Sequence, residues 1–103
     1  MLQQVQHHHF QTLLGKTGTL RLPDGSDLLI HIDSLEETPQ ARMPNSERMP
    51  FSVELTSLKP TAFVDGLCAL ELPKLGQVKD IFVSRVPVMG RDPGVGYFCI
   101  AFN

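Results

Sequence analysis

Four histidines carry the side chains of this 103-residue chain best suited to a transition metal, three of them consecutive at His7, His8 and His9 and one at His31. Three successive positions on a helix point about 100° apart, so the run cannot converge on one ion as an i, i+4 pair can. The expectation is an exposed polar helix segment with no dedicated metal site, open to adventitious metal binding. His31 and Asp33 stand two apart on one face of a strand, close enough for a hydrogen bond or ion pair. No motif with a known catalytic mechanism surrounds them, neither paired carboxylates nor a Ser/His/Asp set. Gly15-Lys16-Thr17 has the look of the end of a phosphate-binding loop, but the first glycine of that motif would fall at Phe10. The flanking elements are also inverted, helix before and strand after, so a glycine that ends a helix explains the triplet better.

The remaining reactive groups read as structural. Cys68 and Cys99 each lie inside an apolar run, where a free thiol behaves as a small hydrophobe, although one disulfide would also satisfy the count. Asp24 and Asp65 each precede a glycine and suit turns. Glu36 and Glu37 adjoin a polar stretch and suit a solvated surface. No cofactor is implied.

Period-two alternation dominates the elements that position these groups. A helix is expected over residues 5–14, where Val5, His9 and Leu13 recur at i+4 with Phe10 and Leu14 beside them, and Gly15 ends it. A β core over residues 17–103 follows. Thr17 to Leu22 alternates, Pro23-Asp24-Gly25 turns, and Asp27 to Leu35 carries Leu28, Ile30 and Ile32. Pro39, Pro44 and Pro50 break regularity across a long 36–50 loop, an uncommon length that suits a contact surface or a connector. Phe51 to Leu55 is the cleanest half-buried strand. Asp65-Gly66 reads as a turn before Leu67 to Leu72, and Pro73-Lys74-Leu75-Gly76 as the next reversal. Val78 to Val88 is extended, with Ile81, Phe82 and Val83 as anchors and Pro87 at an edge or strand end. After a glycine-rich connection, Tyr97 to Phe102 is apolar on both faces and suits a central strand. Phe51, Leu70, Ile100 and Phe102 should share one core. The fold expected is mainly β: a small antiparallel roll, barrel or sandwich of about six strands with one short N-terminal helix.

Composition narrows the class of function. A hydrophobic fraction of 42% and a charged fraction of 19% are those of a single globular domain. A formal net charge of −2 leaves no basic footprint for nucleic acid. No apolar run approaches the roughly 20 residues of a membrane-spanning helix. Met1 to Phe10 lacks the charged and apolar regions of a secretory signal, so a cytoplasmic location is expected.

The order of Phe10 with Leu14-Gly15, Pro50-Phe51-Ser52, Gly66 followed by Leu70-Glu71, Leu75-Gly76 and a terminal Phe102-Asn103 resembles a family of small bacterial proteins known as a domain of unknown function. The sequence departs from that pattern at Leu72-Pro73, where His-Pro is common, and in a longer loop before Pro50. The resemblance implies no activity, cofactor or catalytic residue. It does imply an accessory or assembly role beside phage-tail-like or fibre-like proteins. The residues themselves point to a non-catalytic module that binds a protein partner or a second copy of itself. Met43, Arg48 and Met49 are the candidate contacts, since methionine and arginine are enriched where proteins meet. The rival reading is a small ligand-binding barrel or an enzyme using His31 and Asp33.

Overall fold

The computed structural model describes residues 2–45 and 48–103. Strands β1 (Thr17–Arg21), β2 (Asp27–Glu37), β3 (Phe51–Ser57), β4 (Asp65–Leu72), β5 (Gly76–Val86) and β6 (Tyr97–Phe102) close into an antiparallel barrel in the order β1-β2-β3-β6-β5-β4. Of the three architectures the alternation allowed, the barrel is the one that forms. One face of every strand turns inward: Leu20, Leu28, Ile30, Ile32, Val53, Leu55, Leu70, Leu72, Val78, Ile81, Val83, Phe98 and Ile100 belong to one buried cluster. Phe51, Leu70, Ile100 and Phe102 lie together in that cluster, none more than 3% exposed. At one end Phe51 and Phe102 stack with ring centroids 4.7 Å apart, and Phe10 leans on both at 6.0 and 5.7 Å. β6 is no edge strand, paired with β3 on one side and β5 on the other as closure requires of every strand.

Two bulges make so many apolar residues face inward in spite of broken spacing. Ile32 pairs with Leu55 and Ser34 with Glu54, so Asp33 is an extra residue in β2. The slip turns Leu35 back toward the core, where strict alternation from Ile32 would send it out. Cys68 pairs with Ile81 and Leu70 with Val78, so one residue of β4 faces two of β5, and Asp80 takes φ +61°. That positive φ lets Val78 and Ile81, three apart, both point inward.

Several expectations are corrected. Regular α-helix (α1) is confined to His8–Gln11, after a 3-10 turn at Leu2–Gln4; no side chain caps its start, and a single turn is held by tertiary packing. Gly15, with φ +79°, does end the segment. β2 runs to Glu37, which pairs with Phe51, so the connection begins at Thr38 and contains a 3-10 turn at Pro39–Ala41. Asp65-Gly66 is the start of β4, opposite Ser84 and Val83, and glycine is needed there because a Cβ would meet Pro23 Cγ at 2.8 Å. Phe82 is 55% exposed on the outer face, because the Asp80 bulge gives the inward positions to Ile81 and Val83. Pro87 stands at the strand end, one of the two places expected for it, directly after Val86, which is paired with Tyr97.

Candidate functional site

The Asp33 bulge places a polar cluster on the outside of the barrel. His31 Nδ1 lies 2.5 Å from Asp33 Oδ1, and the hydroxyl of Thr56, the residue opposite His31, donates to Asp33 Oδ2. The hydrogen bond to Asp33 raises the His31 pKa above its ordinary value, with a smaller opposing effect from desolvation. The carboxylate therefore sits between imidazole and hydroxyl. In a nucleophilic triad the hydroxyl gives its proton to the imidazole; here the Thr56 proton is directed at Asp33, and the three groups tie the bulge of β2 to β3. Tyr97 continues the row opposite Thr56, its hydroxyl donating to the Asp92 carbonyl at 3.0 Å and its ring covered by the Arg91 guanidinium at 3.8 Å.

The histidine run is divided by burial. His9 is 9% exposed and its Nδ1 accepts the Gln6 N–H at 2.8 Å, while His7 packs edge-on against Phe51. Burial, reinforced by the neighbouring His8 ring, lowers the His9 pKa. The expected exposed polar segment is therefore corrected at His9, whose place on the Val5 and Leu13 face takes it inside. Among the described residues no group of three His, Cys, Asp or Glu side chains is arranged to hold a metal.

Both cysteines are free thiols, Cys68 buried inside the barrel and Cys99 half-buried on its outer face. Burial pushes the Cys68 thiol up to about 11, and burial with the Glu54 charge raises Cys99. Neither is a ready nucleophile at neutral pH.

The three loop residues fall in different settings. Met43 is 67% exposed and Met49 half-buried. Arg48 is engaged within the chain: its guanidinium donates to the carbonyls of Leu2 and Val5 at 3.1 Å each and to the main-chain oxygen of Asn103 at 2.6 and 2.9 Å, and it lies 5.5 Å from the centre of the Phe102 ring.

Sequence reasoning missed two surfaces. Leu67 and Phe82 face each other across β4 and β5 on the outside, 54% and 55% exposed, with Val64 59% exposed just before β4. Alternation counted from Val78 would turn Phe82 inward, and the bulge at Asp80 turns it out. The second surface is a cleft of about 890 Å³ where β1 and β4 diverge, lined by Thr17, Gly18 and Thr19 on one side and Glu71, Leu72 and Pro73 on the other. A glycine in the middle of an alternating strand is the signal that marks it.

Among the described residues no helix is long and apolar enough to cross a membrane. A family model described as a domain of unknown function (DUF6916) matches residues 5–102. No curated protein and no solved structure matches the chain.

Proposed function

The chain belongs to the DUF6916 family of domains of unknown function, and we propose that it serves as a non-catalytic protein-binding or assembly module. The observation that carries this reading is the outward pair Leu67 and Phe82, each more than half exposed. Two large apolar side chains directly opposed on a sheet form a contiguous patch that costs free energy in water and is recovered by contact with another protein. Met43, exposed on the connection between β2 and β3, is a second candidate contact. A cytoplasmic setting fits two thiols that remain unpaired. The rival enzyme reading rests on the His31 and Asp33 pair, and the Thr56 hydroxyl, which donates to the carboxylate, lends it no nucleophile.

The test is capture by the intact tagged chain from its source lysate, together with sedimentation of the purified protein. Phage-tail-like and fibre-like proteins are the first partners to look for. Parent protein should capture a partner or self-associate, and the Leu67→Ser, Phe82→Ser double variant should lose most of that association while melting near the parent temperature. An unchanged association in the double variant would reject the patch. A parent that captures nothing and sediments as a monomer at every concentration would reject the module.

A further inference from the structure

The ladder that closes the barrel between β1 and β4 stops early. It holds Arg21 opposite Ala69 and Leu20 opposite Leu70. One and two steps further, the same register would set Thr19 against Glu71 and Gly18 against Leu72. Among the described residues neither pair forms: Thr17, Gly18 and Thr19 are laddered to β2 alone, Glu71 and Leu72 to β5 alone.

Backbone groups left by this divergence face the gap. Successive residues of an antiparallel strand turn their N–H and C=O groups to opposite neighbours. The Lys16 carbonyl accepts from Ile32 and the Leu22 N–H donates to Ser26, so the even-numbered residues of β1 bond toward β2. Thr17 and Thr19 consequently direct their peptide groups into the cleft. Its deeper lining is apolar, formed by Leu13, Ile32, Leu70 and Leu72.

Gly18 lies in the wall of the gap, and the barrel itself does not demand glycine there. Its φ lies outside the left-handed region, and an added Cβ would meet Ile30 Cδ1 at 3.8 Å and Leu70 Cδ1 at 3.9 Å, which is ordinary contact. A β-branched residue would suit a strand better and would fill the wall. Glycine inside a strand instead leaves room for another backbone to approach.

We propose that the cleft between β1 and β4 accepts an extended segment of a partner protein, added as a short strand that continues the interrupted ladder. This rests on the protein-binding reading above but uses a different surface. The charges at the rim select the kind of segment. Arg21 is already held by Asp27 at 2.6 Å, and Glu71 and Lys74 present one charge of each sign. An uncharged segment of alternating apolar and polar residues fits, with one apolar side chain over Gly18 toward Leu70 and Leu72. Main-chain hydrogen bonds would supply affinity and the apolar floor specificity.

Short displayed peptides selected against the full chain supply the probe, and the enriched sequence is then made as an acetylated amide. It should alternate apolar and polar residues, and its binding should slow hydrogen exchange at the Thr17 and Thr19 amides. A Thr19→Cys, Glu71→Cys variant provides an internal control for folding. Reduced, it should bind like the parent; oxidised, with the cleft zipped shut, it should bind about tenfold or more weakly. Gly18→Val should bind weakly as well while melting at or above the parent temperature. The proposal is overturned if selection enriches nothing over background, if oxidised and reduced forms bind alike, or if protection appears at other amides. Binding lost in the Leu67→Ser, Phe82→Ser variant but kept in the oxidised one would overturn the cleft and leave the protein-binding module standing. Binding confined to the cleft, beside a lysate capture indifferent to Leu67 and Phe82, would do the reverse for the patch.

Discussion

Arg48 illustrates how far a single side chain can depart from what its neighbours in sequence suggest. It stands in a polar, proline-rich stretch that reads as a contact surface, yet its guanidinium gathers main-chain oxygens from Leu2, Val5 and Asn103. Periodicity says nothing about which chain ends meet beneath a loop, so this clamp was not legible. Truncation should therefore cost folding stability: Arg48→Ala is expected to lose about 2 kcal/mol in urea unfolding, the scale of charge-assisted hydrogen bonds left unmade. Arg48→Lys should recover little, because one ammonium cannot replace a fork that spans three main-chain oxygens. The histidines make a second prediction at this scale. His31 is raised by Asp33, so its contribution is complete below about pH 6.5 and is lost as pH rises through the raised value. His9 is lowered by burial, so stability is complete above that pH and is lost as pH falls through the lowered value. Melting temperature should pass through a maximum between these limits. His31→Gln should flatten the decline on the alkaline side and His9→Gln the one on the acid side.

Among the elements, the strands with strict alternation were the legible ones. Phe51, Val53 and Leu55 read directly as one buried face, and the structure buries all three. Bulges broke the reading elsewhere, since one inserted residue reverses the face of everything after it. Val78, Ile81 and Val83 face inward only because Asp80 adopts φ +61°, a conformation that a sequence pattern does not announce when the residue is not glycine. Neighbouring side chains in β5 should consequently respond in opposite ways. Ile81→Ala should cost about 3 kcal/mol as a buried truncation, whereas Phe82→Ala should cost about 0.5 kcal/mol, the scale of an exposed cross-strand pair. Equal losses in a denaturant titration would mean that the bulge is misplaced and the outer patch does not exist. The cleft was partly legible for the same reason. Gly18 was visible as an interruption, but its consequence depends on β4 as a spatial neighbour, and no local signal pairs the first strand with the fourth.

At the scale of the molecule, closure is uneven, and the N-terminal segment compensates for it. β5 meets β6 over Ser84–Val86 and Tyr97–Cys99, while Gly76 to Val83 is laddered to β4 and Ile100 to Phe102 to β3. The turn at Leu2–Gln4 packs beside β5, Val5 is fully buried in the shared core, and Arg48 ties this segment to Asn103, just past the end of β6. The segment thus works as a strap across the weak seam, with the short α1 behind it delivering Phe10 onto Phe51 and Phe102. Removing residues 1–6 should destabilise the barrel by about 3 kcal/mol, from the exposure of an apolar side chain and the loss of the Arg48 acceptors together. The truncated protein should also bind a hydrophobic dye and show faster amide exchange along β5 and the end of β6. Replacing residues 39–45 with a Gly/Ser connection makes the contrast, because that change leaves Arg48 and Pro50 in place and alters loop-closure entropy only slowly. The loop variant should unfold near the parent midpoint while the strap variant does not. If the two lose stability alike, the polar loop is part of the barrel's closure, and the strap is only one of its fastenings.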